Sequence, residues 1–180
     1  MTSFDPFASI VELGQQLRSG QLTSASLTQG YLDRIKQYDE KFNAFVEVLE
    51  SHALEQAKFA DVEFDAGVDR GPLHGIPYAV KDLYDIAGVP TRAGTDLLTD
   101  NVPNENAFIV SRLEELGAIL VGKTHTVQFA YGGVGINNKL ATPVNPWARD
   151  HYIPGGSSSG SGVAVGAGLV PMALGSDTGG

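Results

Sequence analysis

The chain has 180 residues, of which 42% are hydrophobic, so it is long enough to bury one sizeable core and to form a single domain. A formal net charge of −9 without any basic run argues against an autonomous nucleic-acid-binding protein, because clustered Lys and Arg bind phosphates. The absence of cysteine excludes a disulfide framework and a thiolate nucleophile, and the wide spacing of the histidines argues against a zinc hydrolase.

The N-terminus does not match a secretory signal, because no cationic start precedes an apolar core. The longest apolar stretch, residues 162–174, is too short and too rich in glycine to span a bilayer. We therefore expect a cytoplasmic protein that has no membrane partner.

The first half of the chain is predicted to form helices separated by short strands. Apolar residues at helical spacing predict a helix over residues 9–18, and Ser24 is the predicted cap of a second helix. A short strand over residues 43–49 and a third helix over residues 52–64 follow. Residues 76–80 are then predicted to be a buried strand.

The second half continues this alternation, beginning with an amphipathic helix over residues 105–116. The residues expected to face inward on this helix are Phe108, Ile109, Leu113 and Leu116. A strand over residues 118–121, a loop over 132–146, a small-residue helix over 159–169 and a strand over 172–175 complete the prediction. This alternation indicates the α/β class, with a sheet covered by helices on both faces.

Residues 117–124 (Gly-Ala-Ile-Leu-Val-Gly-Lys-Thr) match the phosphate-loop pattern G-x-x-x-x-G-K-[ST]. A phosphate loop requires a preceding strand and a flexible turn inside the pattern, whereas here a helix precedes it and the apolar interior is itself typical of a strand. We therefore reject nucleotide binding and expect Lys123 to be exposed or to lie at a polar edge of the sheet.

Two segments rich in glycine and serine lie near the C-terminal end: residues 155–162 and residues 175–180. The first could be a flexible linker, an anion site formed by the amides of residues 158–161, or part of a catalytic site. A linker would continue in small polar residues, but an apolar run follows at once, which implies burial. The Gly-Gly pair of the second segment offers N–H groups that could face a developing negative charge.

Lys81 follows the predicted strand over residues 76–80. Taken alone, it is most simply interpreted as a snorkelling lysine or as an ion-pair partner of Asp82 or Asp85. A buried lysine has a lowered pKa, so a neutral amine there could accept a proton. The co-occurrence of Lys81 with both glycine-serine segments favours the catalytic interpretation. His125 near a strand end is left without a role.

The ordered set of motifs resembles the amidase signature family of serine hydrolases. The matching segments are residues 71–77 (Gly-Pro-Leu-His-Gly-Ile-Pro), 80–82 (Val-Lys-Asp), 145–147 (Asn-Pro-Trp) and the two glycine-serine segments. The resemblance covers most of the chain and is strongest from Gly71 onward. It implies an α/β fold with a mixed β-sheet core covered by helices on both faces, incomplete in this chain.

The resemblance also implies a Ser–cis-Ser–Lys triad that cleaves the C–N bond of carboxylic amides through an acyl-serine intermediate, without metal or organic cofactor. Lys81 matches the basic lysine, and Ser157 matches the bridging serine that follows a cis peptide. Ser158 matches a supporting serine. The residues that match the oxyanion hole are Thr178, Gly179 and Gly180. One departure is that Ser159 and Ser161 stand within the run that is usually Gly-Gly-Ser-Ser-Gly-Gly.

Further expectations concern the rest of the protein. Family members run for several hundred residues, and their nucleophilic serine directly follows the final Gly-Gly, which predicts serine at position 181. Residues 1–180 are thus expected to be the N-terminal portion of a single amidase signature domain, inactive alone, with the rest of its own chain as a partner. A small-molecule amide is the expected substrate, with Ala130 and Tyr131 near its acyl part. Whether the protein forms a homodimer is left open.

Two alternatives to a hydrolase remain. The A subunit of a glutamyl-tRNA amidotransferase shares this core, but its typical Asn-Met-Asp-Glu-Phe-Ala pattern is replaced here by His-Thr-Val-Gln-Phe-Ala at residues 125–130. We therefore rank the transferase below the hydrolase. The other alternative is an inactive fragment or binding module that lacks the nucleophile.

Overall fold

The computed structural model describes residues 4–148 and 152–178. Its helices are α1 (Ile10–Arg18), α2 (Ser24–Phe42), α3 (Glu50–Asp65), α4 (Phe108–Glu115) and α5 (Ser159–Gly166). Its strands are β1 (Phe45–Val48), β2 (Pro77–Lys81), β3 (Ile119–Thr124) and β4 (Ala173–Leu174). Within the described residues, no helix combines the length and the apolar character needed to cross a bilayer.

Side-chain caps define where the first two helices begin. The Ser9 hydroxyl accepts a hydrogen bond from the backbone of Glu12, and the Glu12 carboxylate binds the Ser9 backbone in return, which satisfies N–H groups that a helix start leaves free. At α2 the cap is Thr23 and not Ser24 as predicted. Ser24 lies just inside the helix, where its hydroxyl donates to the carbonyl oxygen of Gly75 at 2.9 Å.

The four described strands form one mixed sheet in the order β1-β3-β2-β4. Strand β1 runs antiparallel to β3, whereas β2 runs parallel to both β3 and β4. Strand β2 therefore has a neighbour on each side, and all five of its residues are buried. This arrangement confirms the predicted α/β class and delivers Lys81, the last residue of β2, into the interior.

Alternate residues of the central strands face different helices. Ala79, Ile119 and Val121 pack in a core cluster with α2, α3 and α5. Tyr78 and Leu120 belong to the opposite cluster, which includes α4. Because side chains of a strand alternate between faces, the two clusters lie on opposite sides of the sheet, and helices cover both of them as predicted.

The predicted inward face of α4 was wrong in two positions. Phe108 is 85% exposed and Ile109 is 37% exposed, whereas Val110 and Leu113 are buried. The helix begins at Phe108, later than the predicted residue 105, and its contact stripe is the i, i+3 pair Val110–Leu113. Phe108 and Ile109 precede that pair in the first turn and point to other sides of the helix.

Candidate active site

Lys81 lies at the centre of a group of serine side chains. The lysine is fully buried, and its Nζ donates to Ser157 Oγ at 2.7 Å. It also donates to Ser176 Oγ at 2.9 Å and to the Ser176 carbonyl oxygen at 3.3 Å. These acceptors match the three N–H bonds of an ammonium group. A neutral amine would keep two N–H donors for Ser176 and offer its lone pair to the Ser157 hydroxyl, so the site suits both protonation states.

The surroundings make Lys81 easier to deprotonate than an ordinary lysine. Burial of the ammonium group lowers the pKa of Lys81, and the negative charge of Asp177 opposes this effect without reversing it. A lysine that can lose its proton is able to act as a general base, which an ordinary surface lysine cannot do near neutral pH.

The peptide bond between Gly156 and Ser157 is cis, as the family resemblance implied. The Ser157 carbonyl oxygen accepts hydrogen bonds from Thr126 Oγ1 at 3.0 Å and from the Val127 N–H at 3.1 Å. Ser157 is thus held at its carbonyl by the segment that follows β3 and at its hydroxyl by Lys81.

Ser158 and Ser176 connect the two glycine-serine segments. Ser158 Oγ donates to the Ser176 carbonyl oxygen at 3.1 Å and accepts from the Ser176 N–H at 3.1 Å. Ser158 therefore holds Ser176 beside Lys81. Sequence reasoning did not single out Ser176, although it stands inside the second glycine-serine segment. Its position in that segment was a usable signal, but the pairing with Lys81 depends on the tertiary fold.

A cavity of about 430 Å³ opens beside Ser157. Its lining residues are Ala130, Tyr131, Gly132, Gly133, Gly156, Ser157, Asp177 and Thr178. Ala130, Tyr131 and Thr178, which the sequence predicted to contact the substrate or the oxyanion, thus lie around one space. Gly179 and Gly180, the other predicted oxyanion residues, lie outside the described residues.

Lys123 is buried, contrary to the expectation of an exposed or edge position. Its Nζ lies 2.7 Å from Asp82 Oδ1 and donates to Thr91 Oγ1 at 2.8 Å and to the Pro90 carbonyl oxygen at 2.9 Å. The reason is that β3 is an internal strand with both faces covered, so even its polar residues must be paired inside. Asp82, one of the two suggested partners of Lys81, is therefore the counter-ion of Lys123.

His125 is buried at the junction between β3 and α5. Burial and the positive charge of Arg92 lower the pKa of His125 to about 4, so the imidazole is neutral at pH 7. The His125 carbonyl oxygen accepts from the Gly160 N–H at 2.9 Å, which occupies one of the amides considered for an anion site. The backbone of His125 thus contributes to the contact between the end of β3 and the start of α5.

The family model described as Amidase matches residues 26–180, and the chain belongs to this family. Among curated relatives, the A subunit of the glutamyl-tRNA(Gln) amidotransferase of Nitrosococcus oceani is 42% identical over 172 residues, which are 96% of this chain and 35% of that protein. The chain thus spans about a third of the length of the curated relatives that it matches.

Solved structures of the same family superpose closely on the chain. The peptide amidase from Stenotrophomonas maltophilia has a TM-score of 0.83 and 36% identity, with 92% of this chain and 35% of that chain covered. A structure described as fatty acid amide hydrolase has a TM-score of 0.88 and 30% identity, with 97% of this chain and 31% of that chain covered. The fold is therefore that of amidase signature enzymes.

Proposed function

We propose that the protein containing this chain hydrolyses the C–N bond of carboxylic amides through an acyl-serine intermediate. The observation that carries the proposal is the buried Lys81 Nζ, 2.7 Å from Ser157 Oγ, beside a cavity large enough for a small-molecule amide. Membership of the Amidase family supports the same reaction class. In this proposal Lys81 is the general base, Ser157 is the proton bridge and Ser158 is the supporting serine.

The first step transfers a proton and forms the acyl bond. Neutral Lys81 takes the proton of the Ser157 hydroxyl, and Ser157 takes the proton of the nucleophilic serine, which the family pattern places at position 181. That oxygen attacks the carbonyl carbon, and the carbonyl π electrons move to the oxygen. The backbone N–H groups of Thr178, Gly179 and Gly180 hold the resulting oxyanion, and such donors are commonly worth about 3 kcal/mol each.

The second step releases the amine. The tetrahedral intermediate collapses, the C–N bond breaks, and the leaving nitrogen receives the proton that returns from Lys81 through Ser157. Water then attacks the acyl-enzyme along the same relay, which releases the carboxylic acid and restores the serine. All protons and electrons balance among these groups and water.

We place the acyl part of the substrate in the cavity beside Ala130 and Tyr131. Tyr131 is 90% exposed and can contact a ligand without losing internal packing.

The test of the proposed hydrolysis is a panel of amides, ureas and esters presented to the full-length protein, together with Ser157→Ala. We expect turnover of at least one carboxylic amide by the wild type and a fall of about 10²–10⁴-fold in Ser157→Ala, the range typical of proton-transfer catalysis. An inactive wild type, or an unimpaired variant, would overturn the proposal.

A second candidate function is that of the A subunit of a glutamyl-tRNA amidotransferase, and the 42% identity to relatives of that name favours it. Such a protein would release ammonia from an amide and pass it to an activated acyl-tRNA. Glutaminase activity that appears only with partner subunits and ATP would support the transferase. Turnover of simple amides by the protein alone would support the hydrolase.

We further propose that residues 1–180 form the N-terminal part of one amidase signature domain and that this part alone is inactive. The reason is chemical, because no acyl-enzyme forms without the nucleophilic hydroxyl. A cytoplasmic location stays a prediction.

A further inference from the structure

Thr126 lies between β3 and the cavity and is fully buried. Its Oγ1 is 3.0 Å from the Ser157 carbonyl oxygen and 3.2 Å from the Val127 carbonyl oxygen. A hydroxyl carries one proton, and the nearer acceptor is Ser157. The Val127 N–H donates to the same Ser157 oxygen at 3.1 Å, so two consecutive residues hold one carbonyl.

The backbone of Thr126 is itself fixed in place. Its carbonyl oxygen accepts from Asn137 Nδ2 at 2.8 Å, and the same nitrogen donates to the Gly94 carbonyl oxygen at 2.7 Å. Gly94 packs so closely that a Cβ added there would lie 2.7 Å from the Thr126 oxygen. The backbone of Thr126 is therefore held by contacts with the segments that contain Gly94 and Asn137.

Ser157 follows Gly156, which packs closely against a neighbouring loop: a Cβ added at Gly156 would lie 2.8 Å from the Gly135 nitrogen. Outside its own loop, the Ser157 carbonyl oxygen is held by Thr126 and Val127. A proton relay needs heavy atoms about 2.6–3.2 Å apart. A misplacement of about 1 Å can cost about 10²-fold in rate.

We propose that Thr126 is a positioning residue, whose hydroxyl fixes the Ser157 carbonyl and thereby keeps the Ser157 hydroxyl within hydrogen-bond distance of Lys81. The expected change in kcat rests on the proposed amide hydrolysis. The expected change in the distance between Lys81 and Ser157 does not.

The test compares isosteric variants of the full-length protein. Thr126→Val removes the hydroxyl and keeps the shape, while the Val127 N–H remains on the Ser157 oxygen, so we expect the variant to fold. Thr126→Ser keeps the hydroxyl. The matched control is Thr28→Val, since Thr28 is equally buried and its Oγ1 has no hydrogen-bond partner among the described residues.

We expect kcat to fall by about 10²-fold in Thr126→Val while KM stays within about twofold, because the relay is displaced but the cavity is not. Thr126→Ser should recover most of the wild-type kcat, and Thr28→Val should match the wild type. A wild-type kcat in Thr126→Val, or an equal loss in Thr126→Ser, would overturn the proposal.

Crystal structures of the same variants keep the two proposals distinguishable. If the wild type hydrolyses no amide, the proposed function fails, and the geometry decides the role of Thr126. We then expect the contact between Lys81 Nζ and Ser157 Oγ to lengthen beyond hydrogen-bond distance in Thr126→Val and to persist in Thr126→Ser. An unchanged contact in Thr126→Val would overturn the positioning role.

Discussion

Lys81 Nζ lies 2.7 Å from Ser157 Oγ, although 76 positions separate the two residues in the sequence. β2 ends in the interior at Lys81, and the segment that precedes α5 brings Ser157 to the same end of this strand. Asp82, the next residue along the chain, is paired with Lys123, while Lys81 donates hydrogen bonds to Ser157 and Ser176.

The lowered pKa of Lys81 predicts the pH dependence of hydrolysis. The base must be neutral, so kcat/KM should rise with pH through the pKa of Lys81, which burial places below the ordinary value of 10.5. Lys81→Met should remove this rise together with most of the activity. A pH–rate profile of the full-length protein measures both effects. A rise that survives in Lys81→Met would assign the titration to another group.

His125 predicts a loss of stability in acid. Its pKa is about 4 in the folded protein and about 6.5 when unfolded, so between these values the unfolded chain takes up a proton that the folded chain does not. The free energy of unfolding should therefore fall as pH decreases from 6.5 to 4, by about 3 kcal/mol for this residue.

Urea unfolding of the full-length protein at pH 7 and pH 4.5 measures this slope. His125→Gln, which cannot take up the proton, should show a shallower slope than the wild type. Equal slopes would mean that His125 does not contribute to the acid sensitivity.

Loss of the buried Lys123 charge should destabilise the fold strongly. Lys123→Met leaves the buried Asp82 carboxylate without its counter-ion, and removal of one partner of a buried pair typically costs about 3–5 kcal/mol. Neutralising Asp82 as well, with Asp82→Asn, should recover part of the loss. Denaturant unfolding provides the measurement, and Lys139→Met at an exposed lysine is the control. A Lys123→Met protein as stable as the control would refute the structural role of the pair.

Gly94 and Gly88 form a matched pair for testing the close packing around Thr126. Both have left-handed backbone, with φ of 71° and 76°, so alanine strains both to a similar degree. At Gly94 the added Cβ would lie 2.7 Å from the Thr126 oxygen, whereas at Gly88 nothing lies within 4 Å. Gly94→Ala should therefore be less stable than Gly88→Ala by about 1–3 kcal/mol in thermal or urea unfolding. Equal stability of the two variants would show that the segment around Thr126 moves to accommodate the added Cβ at little cost in stability.

The framework of the site could be predicted from the sequence, but its supporting contacts could not. The ordered motifs and the family resemblance that they carry predicted that Lys81 lies close to Ser157 and that the peptide before Ser157 is cis, and both are observed. The hydroxyls of Thr126 and Ser176 were missed, since a short polar side chain in a loop gives no indication of its distant partner. Lys123 was expected at an edge because the position of β3 inside the sheet depends on strand pairing, which periodicity does not encode.

The most direct test of the proposed catalytic relay is fluorophosphonate labelling of the full-length protein, followed by mass spectrometry of the labelled peptide. We predict a single labelled serine at position 181, with labelling slowed by about 10²-fold or more in Lys81→Met and in Ser157→Ala. Labelling at another residue, or labelling at a wild-type rate in both variants, would contradict the proposal that Lys81 and Ser157 activate the nucleophile.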